Sequence, residues 1–485
     1  MQGMLYATNE CVRTQLDFVR LWSHEAMRVY RDKLVESRDQ ETFDKLLRET
    51  IKKEFPVNTN NNILSNISIA YLYRNIVIIR IMFACKDLEE RSVFAEPLLY
   101  SHFAQEHGKY MPVTDFSHLN AFLEETLANY NDLNAAMNLV LFEDAIFHIL
   151  RINRILESPR GNALLIGVGG SGKQSLSRLA SFIGELDVFQ ITLRKGYGLN
   201  ELRSDLGMLC RKAGVKNQAT TFLLTDSQVA DERFLVLVND LLASGEIPNL
   251  YADDEAEEII NSLRTYVKAE GMFDSRENCW KFFIDRVQRQ LKVVLCFSPV
   301  GSTLRVRSRK FPALVNCTSI DWFHSWPIEA LVSVSRRFLD DVEQLSPEIA
   351  DAAARFMAHV HSSVDDVSTA YMRNERRYNY TTPKSFLEQI YLYRNLLASK
   401  FNDLANNKSR LENGLERLQS TATQVEDLKE KLAAQEEEVN VKNEEAQALL
   451  VQVGAETEKT NREREIADEE QEKVEAITAE VPLSC

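Results

Sequence analysis

The stretch Asn162–Ser177 reads NALLIGVGGSGKQSLS and restricts the possible folds more than any other part of the chain. An apolar run of strand length, Ala163–Ile166, leads into Gly167, Val168, Gly169, Gly170, Ser171, Gly172 and Lys173, and an amphipathic segment, Leu176–Ile183, follows. Strand, glycine loop and helix in that order form a phosphate-binding loop. Glycines let backbone N–H groups turn inward around phosphate oxygens, the helix N-terminus presents its positive end, and Lys173 adds a point charge. The plainer alternative, a flexible glycine loop beside a lysine, does not account for the flanking strand and helix. One position departs from the pattern. Where a Ser or Thr hydroxyl would bind Mg²⁺ the chain has Gln174, with Ser175 one step late.

The 485 residues suffice for two to four domains and substantial cores. A formal net charge of −15 argues against a general nucleic-acid binder. About −11 of it sits in residues 401–485, with 21 acidic and 10 basic side chains. The seven cysteines show no CxxC and no regular spacing, which fits buried reduced thiols in a cytosolic protein. Met1–Arg20 lacks the apolar core of a signal peptide. Ile63–Cys85 is apolar, but Asn66, Arg74, Asn75 and Arg80 interrupt it. Charges at mid-bilayer cost roughly 3 kcal/mol each, so no membrane partner is expected.

Periodicity near 3.6 marks helix over Asn9–Glu54, until Pro56 and Asn58–Asn62 break it. Ile63–Tyr110 has no clear pattern. Phe116–Leu156 returns to helix, and Trp326–Ser399 is helical apart from a polar break at Asn374–Pro383. Between them, apolar runs at Ala163–Ile166, Val188–Leu193, Thr221–Thr225, Val293–Phe297 and Ala313–Asn316 alternate with helical segments. That alternation predicts an α/β fold with a parallel sheet covered on both faces.

The tail differs in kind. Leu404, Leu411, Leu418, Val425, Leu432, Val439, Ala446 and Val453 stand seven apart, and Thr460, Ala467, Val474 and Val481 continue the line. This is the seam of a left-handed coiled coil. The second seam is poorer, since Leu415 and Ala422 follow the line by four residues whereas Leu428 and Leu449 follow it by three.

About fifty residues beyond Lys173 the apolar run from Thr221 ends in Asp226-Ser227-Gln228. An acid at a strand end here is placed to orient a Mg²⁺ shell, with Ser175 a possible second contributor through the metal. A Glu would normally follow to polarise the attacking water. Ser227 stands there and cannot serve as a base at neutral pH. The strand from Val293 ends at Ser298, from which a polar side chain could reach phosphate or water.

Taken together, GVGGSGKQSLSRLA (Gly167–Ala180), VFQITLRKGYG (Val188–Gly198), TDSQVADERFLVLVNDLLASGEIPNLY (Thr225–Tyr251) and VVLCFSPVGSTLRVRSRKFPALVNCTSIDWFHSWP (Val293–Pro327) resemble the ciliary, axonemal dynein heavy chains. They resemble the fourth AAA+ module, which runs into the first helix of the microtubule-binding stalk. The likeness covers about Glu96 to Val481, while Leu16–Phe55 looks like the last helices of the preceding module and Ile63–Lys86 matches no part of the pattern. It implies an AAA+ P-loop module with a helical small subdomain and a long coiled-coil helix. The divisions are 1–55 (end of the third module), 56–115 (linker), 116–330 (large subdomain), 331–400 (small subdomain) and 401–485 (first half of the antiparallel stalk).

By position, the resemblance implies ATP or ADP at Gly167–Lys173 with Gln174 and Ser175 adjoining, Asp226 as the acid, Ser298 at the first sensor and Lys384 near the second. The arginine finger offered to a neighbouring module is expected near Asn316–Trp322, where Cys317 stands. These departures imply ATP binding with slow or no hydrolysis. The remaining modules, the stalk tip and the returning helix are not in this sequence, which implies a portion of a longer protein. Implied partners are those modules, dynein intermediate and light chains, and microtubules only through that tip, in the cytoplasm and the axonemal cytoskeleton of the cilium. Two other readings of the residues stay open, a self-contained P-loop ATPase with a coiled-coil dimerisation arm and a nucleotide-free AAA+ scaffold.

Overall fold

The computed structural model describes residues 11–54, 90–103, 108–137, 139–342, 345–377 and 379–479. The unpatterned Ile63–Lys86 stretch and the end of the seam at Val481 lie outside them. By contacts the chain divides into two units, Met1–Arg394 and Asn395–Cys485.

In the first unit, helices α1 (Gln15–Ala26) and α2 (Ser37–Glu54) flank a π-helical turn at Met27–Arg31. The Thr14 hydroxyl accepts from the Asp17 N–H while the Asp17 carboxylate accepts from the Thr14 N–H, a reciprocal cap that fixes where α1 starts. The helical stretch expected over Phe116–Leu156 is two helices, α3 (Phe116–Leu133) and α4 (Glu143–Glu157). Between them the chain bends at Asn134 and Ala135, and Asn131 bonds the backbone of Met137 from both ends of its amide.

Five parallel strands form the central sheet: β1 (Ala163–Ile166), β2 (Asp187–Gln190), β3 (Thr220–Thr225), β4 (Leu291–Phe297) and β5 (Ser319–Trp322), in spatial order β2-β3-β4-β1-β5. The interior position of β1, paired with β4 on one side and β5 on the other, brings its following loop beside the end of β4, which in turn pairs with β3. β1, β3 and β4 are buried throughout, and alternate residues serve two cores. Leu164, Ile166, Phe222, Leu224, Val293 and Leu295 pack toward α6 (Leu199–Gly214), α7 (Arg233–Ser244), α8 (Asp253–Ala269) and α9 (Arg276–Gln290). Ala163, Leu165, Leu223, Val294 and Cys296 pack toward α3, α4 and α5 (Lys173–Ile183).

One expected strand is not a strand. Ala313–Asn316 forms a single helical turn, started by Pro312 with its fixed φ of −64°, and the edge strand lies just beyond, at β5. After α10 (Thr303–Lys310), the helices α11 (Ile328–Asp340), α12 (Pro347–Glu375) and the start of α13 (Pro383–Ala479) share a third core around Val334, Ala354, Met357, Phe386 and Ile390.

The second unit consists of α13 beyond Asn395. Its seven-residue line is exposed, with Leu411 at 74% and Leu432 at 58% of full accessibility. A helix gains most of its stability in proteins by packing an apolar face, and no described residue covers this one. In a dilute sample of this chain, trypsin is therefore expected to cut at Lys408 and Arg410 well before it cuts within α4–α10. At raised concentration self-pairing through the line should slow that cleavage, more so in salt that screens the acidic surplus. Equal survival of tail and sheet in a monomeric sample would contradict this.

Candidate functional site

The loop after β1 is closed on itself by Lys173. Its Nζ donates to the carbonyls of Gly167 and Val168 at 2.7 and 2.8 Å and to Ser171 Oγ at 3.1 Å. Burial pushes the ammonium pKa down, which nearby Asp226 partly opposes. Gly170 and Gly172 adopt φ of +79° and +86°, the left-handed region open to glycine. A Cβ on Gly170 would also fall 2.3 Å from the Cβ of Lys384. Lys384 thus packs its stem on the phosphate loop. Its amine is exposed and 3.6 Å from Glu388.

Gln174 and Ser175 open α5. The Gln174 carbonyl oxygen accepts from Gln190 Nε2 at 3.3 Å. At the end of β3, the two oxygens of Asp226 are both engaged. Oδ1 accepts from Arg307 Nη1 at 2.6 Å, and Oδ2 accepts from the Ser298 N–H at 2.5 Å. Ser298 Oγ accepts from the Val300 N–H, and the Ser227 and Thr225 hydroxyls lie 2.9 Å apart. Gln228 locks this corner, accepting from the Thr225 N–H and donating to the Ile191 carbonyl at 2.6 Å. Cys317, at the position where the resemblance implies an arginine finger, is half-buried and lines a separate surface cavity.

Loop and strand ends form the floor of a cavity of about 640 Å³ lined by Gly169–Leu176, Asp226, Ser227 and Ser298, within the range of small-molecule sites. One wall is apolar. Phe142 and Trp326 meet edge to face at 4.9 Å, with Leu139, Val140, Phe338 and Leu387 around them. The wall comes from the α3–α4 connection, from the segment before α11, and from α11 and α13, so it suits packing against a flat ring. The opposite wall is polar. His148 stacks on Phe323 at 3.8 Å and lies 2.6 Å from Asp321, which also accepts from Arg151 at 3.1 Å. Asp32, just after the π-helical turn, lies 3.1 Å from Arg28 and 3.6 Å from Arg151, so the first helices reach this wall. Deeper, Glu25 accepts from Arg154 and from the Tyr110 hydroxyl.

The phosphate-loop residues, Asp226, Ser227, Ser298 and the stem of Lys384 are thus brought together as the sequence reading places them. Arg307, the aromatic slot and the Asp32–Arg151–Asp321 network were not anticipated. Arg307 sits in TLRVRSRK, which looks like a solvated helix, and its only signal is its place after the strand from Val293. Asp321 looks like a surface residue of an edge strand.

The donor set does not suit magnesium. A hard dication wants anionic oxygens. Here Gln174 offers a neutral amide already engaged, and Asp226 is neutralised by a guanidinium. No cluster of metal-ligating side chains occurs among the described residues. Asp226, expected to share Mg²⁺ with Ser175, has one oxygen on Arg307 and the other on the Ser298 N–H.

Comparison with known proteins identifies the family. A family profile described as the P-loop containing dynein motor region D4 matches residues 137–396. The microtubule-binding stalk of dynein motor matches 409–483, and an AAA+ lid domain matches 1–65. The chain is 58% identical over 99% of its length to the ciliary dynein beta chain of Tripneustes gratilla. It is 57% identical to dynein axonemal heavy chain 17 of Homo sapiens over 99%, and 42% identical to the flagellar outer arm beta chain of Chlamydomonas reinhardtii over 99%. In each case it spans about a tenth of the relative. No helix among the described residues is long and apolar enough to cross a membrane; Ile63–Cys85 lies outside them.

The buried ionic walls predict acid sensitivity. Burial holds His24 neutral, with its pKa lowered to about 4, although Glu25 opposes the shift. A folded value below the unfolded one near 6.5 means this stability is full above pH 6.5 and is lost as pH falls toward 4, on the order of 3 kcal/mol. Asp321 is also buried; His148 and Arg151 outweigh that and hold it at about 2, so its contribution is lost below the unfolded value near 4. Urea midpoints should drop between pH 7 and pH 4.5, and His24→Asn should flatten that drop. An unchanged slope in His24→Asn would contradict the assignment.

Proposed function

The chain belongs to the dynein heavy chains, and from that premise we propose that it is the fourth AAA+ module of a ciliary motor, binding ATP or ADP at Gly167–Lys173 as a regulatory ligand with weak or no hydrolysis. The observation that carries this is the contrast within one cavity. The binding parts are complete: a closed glycine loop, Lys173, a helix N-terminus and an aromatic slot. The hydrolytic parts are missing, because Ser227 replaces the base and is bonded to Thr225, and Asp226 is held by Arg307. General-base catalysis contributes roughly 10²–10⁴ in rate, so its loss alone leaves a slow site.

On this reading residues 1–55 close the preceding module, 56–115 link, 116–330 and 331–400 are the large and small subdomains, and 401–485 begins the stalk. The exposed seam of α13 pairs with a returning helix and reaches microtubules through the stalk tip. Other heavy-chain modules and intermediate and light chains complete an assembly placed in the axoneme. The apolar wall formed by Phe142 and Trp326 packs against the adenine, and the buried Asp32–Arg151–Asp321 wall couples the preceding module to the bound nucleotide.

ATP at a hundredfold above its Kd should stabilise the chain by roughly 2.7 kcal/mol. That is a rise in Tm of several degrees, at roughly 2–4 °C per kcal/mol. Lys173→Ala should abolish the rise. No shift in the wild-type chain at millimolar ATP would favour a nucleotide-free scaffold. Ser227→Glu combined with Gln174→Thr should raise ATPase activity modestly in a complete ring, because Arg307 still holds Asp226. No increase over wild type there would show that the missing base is not what limits turnover.

A further inference from the structure

Arg307 bears on how this cavity balances phosphate charge. Its side chain is about 90% buried, its guanidinium lies over the Phe297 ring at 5.6 Å, and Nη1 donates to Asp226 Oδ1 at 2.6 Å. A guanidinium does not lose its proton in a protein. Withdrawing it from Asp226 would leave a buried charge unpaired, which costs far more than the pair itself contributes. The second Asp226 oxygen is held by the Ser298 N–H. A divalent cation approaching this carboxylate would meet a fixed positive charge already in contact with it.

The other sources of metal ligands are also closed. Gln174 supplies a neutral oxygen tied to Gln190, and Ser175 lies a further 100° around the helix from the usual hydroxyl. Of the other carboxylates on the cavity wall, Asp32 is balanced by Arg28 and Arg151, and Asp144 interacts with Arg151. The loop N–H groups and the N-terminus of α5 face the phosphate position, and Lys173 joins them by exchanging its loop acceptors for phosphate oxygens.

We propose that this site binds its nucleotide without magnesium, with Arg307 permanently cancelling the charge of Asp226 beside the phosphates. The proposal rests on the nucleotide reading above. It makes a restored catalytic base insufficient by itself, because the metal ligands at positions 174 and 226 stay unavailable until they are restored as well.

Calorimetric titration of the full chain with ATP, once in excess MgCl₂ and once in excess EDTA, tests it. The two Kd values should agree within about threefold. A loss of about tenfold or more in EDTA, equivalent to about 1.4 kcal/mol, would overturn the proposal while leaving nucleotide binding intact. Absence of binding in both media would overturn the nucleotide reading and this proposal with it. Arg307→Gln, by freeing Asp226, should make binding about tenfold tighter in magnesium than in EDTA. If that variant folds and still binds equally in both, the role of Arg307 is wrong. If it does not fold, the wild-type comparison decides alone.

Discussion

The contact between Asp226 and Arg307 joins three parts that chemistry at this site would need to keep adjustable. Asp226 ends β3, Ser298 follows β4, and Arg307 belongs to the helix after it. Both carboxylate oxygens are committed, so the ends of the two strands are tied together and the acid is neutralised in one arrangement. The phosphate loop, set beside them by the place of β1 in the sheet, keeps its donors and its lysine. On the proposed reading, this ion pair and Ser227 together separate binding from hydrolysis.

A second set of charges ties the site to its surroundings. Glu25 with Arg154, and Asp32 with Arg28, Arg151 and Asp321, connect the first helices to α4 and β5 through side chains buried from water. Buried ion pairs are costly to break and contribute little over a well-packed apolar contact. Their use here fixes one geometry, with Asp32, Arg151 and His148 standing on the cavity wall. A shift of the first helices would move that wall.

Much of the sheet was legible in the sequence because strands buried on both faces leave continuous apolar runs. Ala163–Ile166, Thr221–Thr225 and Val293–Phe297 fall on β1, β3 and β4 nearly residue for residue. The edge was not legible. Ala313–Asn316 is as apolar as a strand but follows Pro312 and turns once as helix, while β5 carries an acid whose burial depends on His148 and Arg151, distant in sequence. The site divides in the same way. The glycine loop and Asp226 are local patterns with fixed spacing. The aromatic slot joins Phe142 to Trp326 across the whole sheet, and Arg307 looks like one more surface arginine until its partner is known. Local backbone chemistry leaves a signature in sequence; a wall assembled from three distant segments does not.

The central claim is that this cavity holds a nucleoside triphosphate and does not split it. The most direct measurement adds one equivalent of radiolabelled ATP to the purified chain in magnesium and identifies the nucleotide that elutes with the protein after prolonged incubation. The account predicts ATP recovered intact and stoichiometric with the chain. Rapid recovery of ADP and free phosphate from the bound fraction would contradict it.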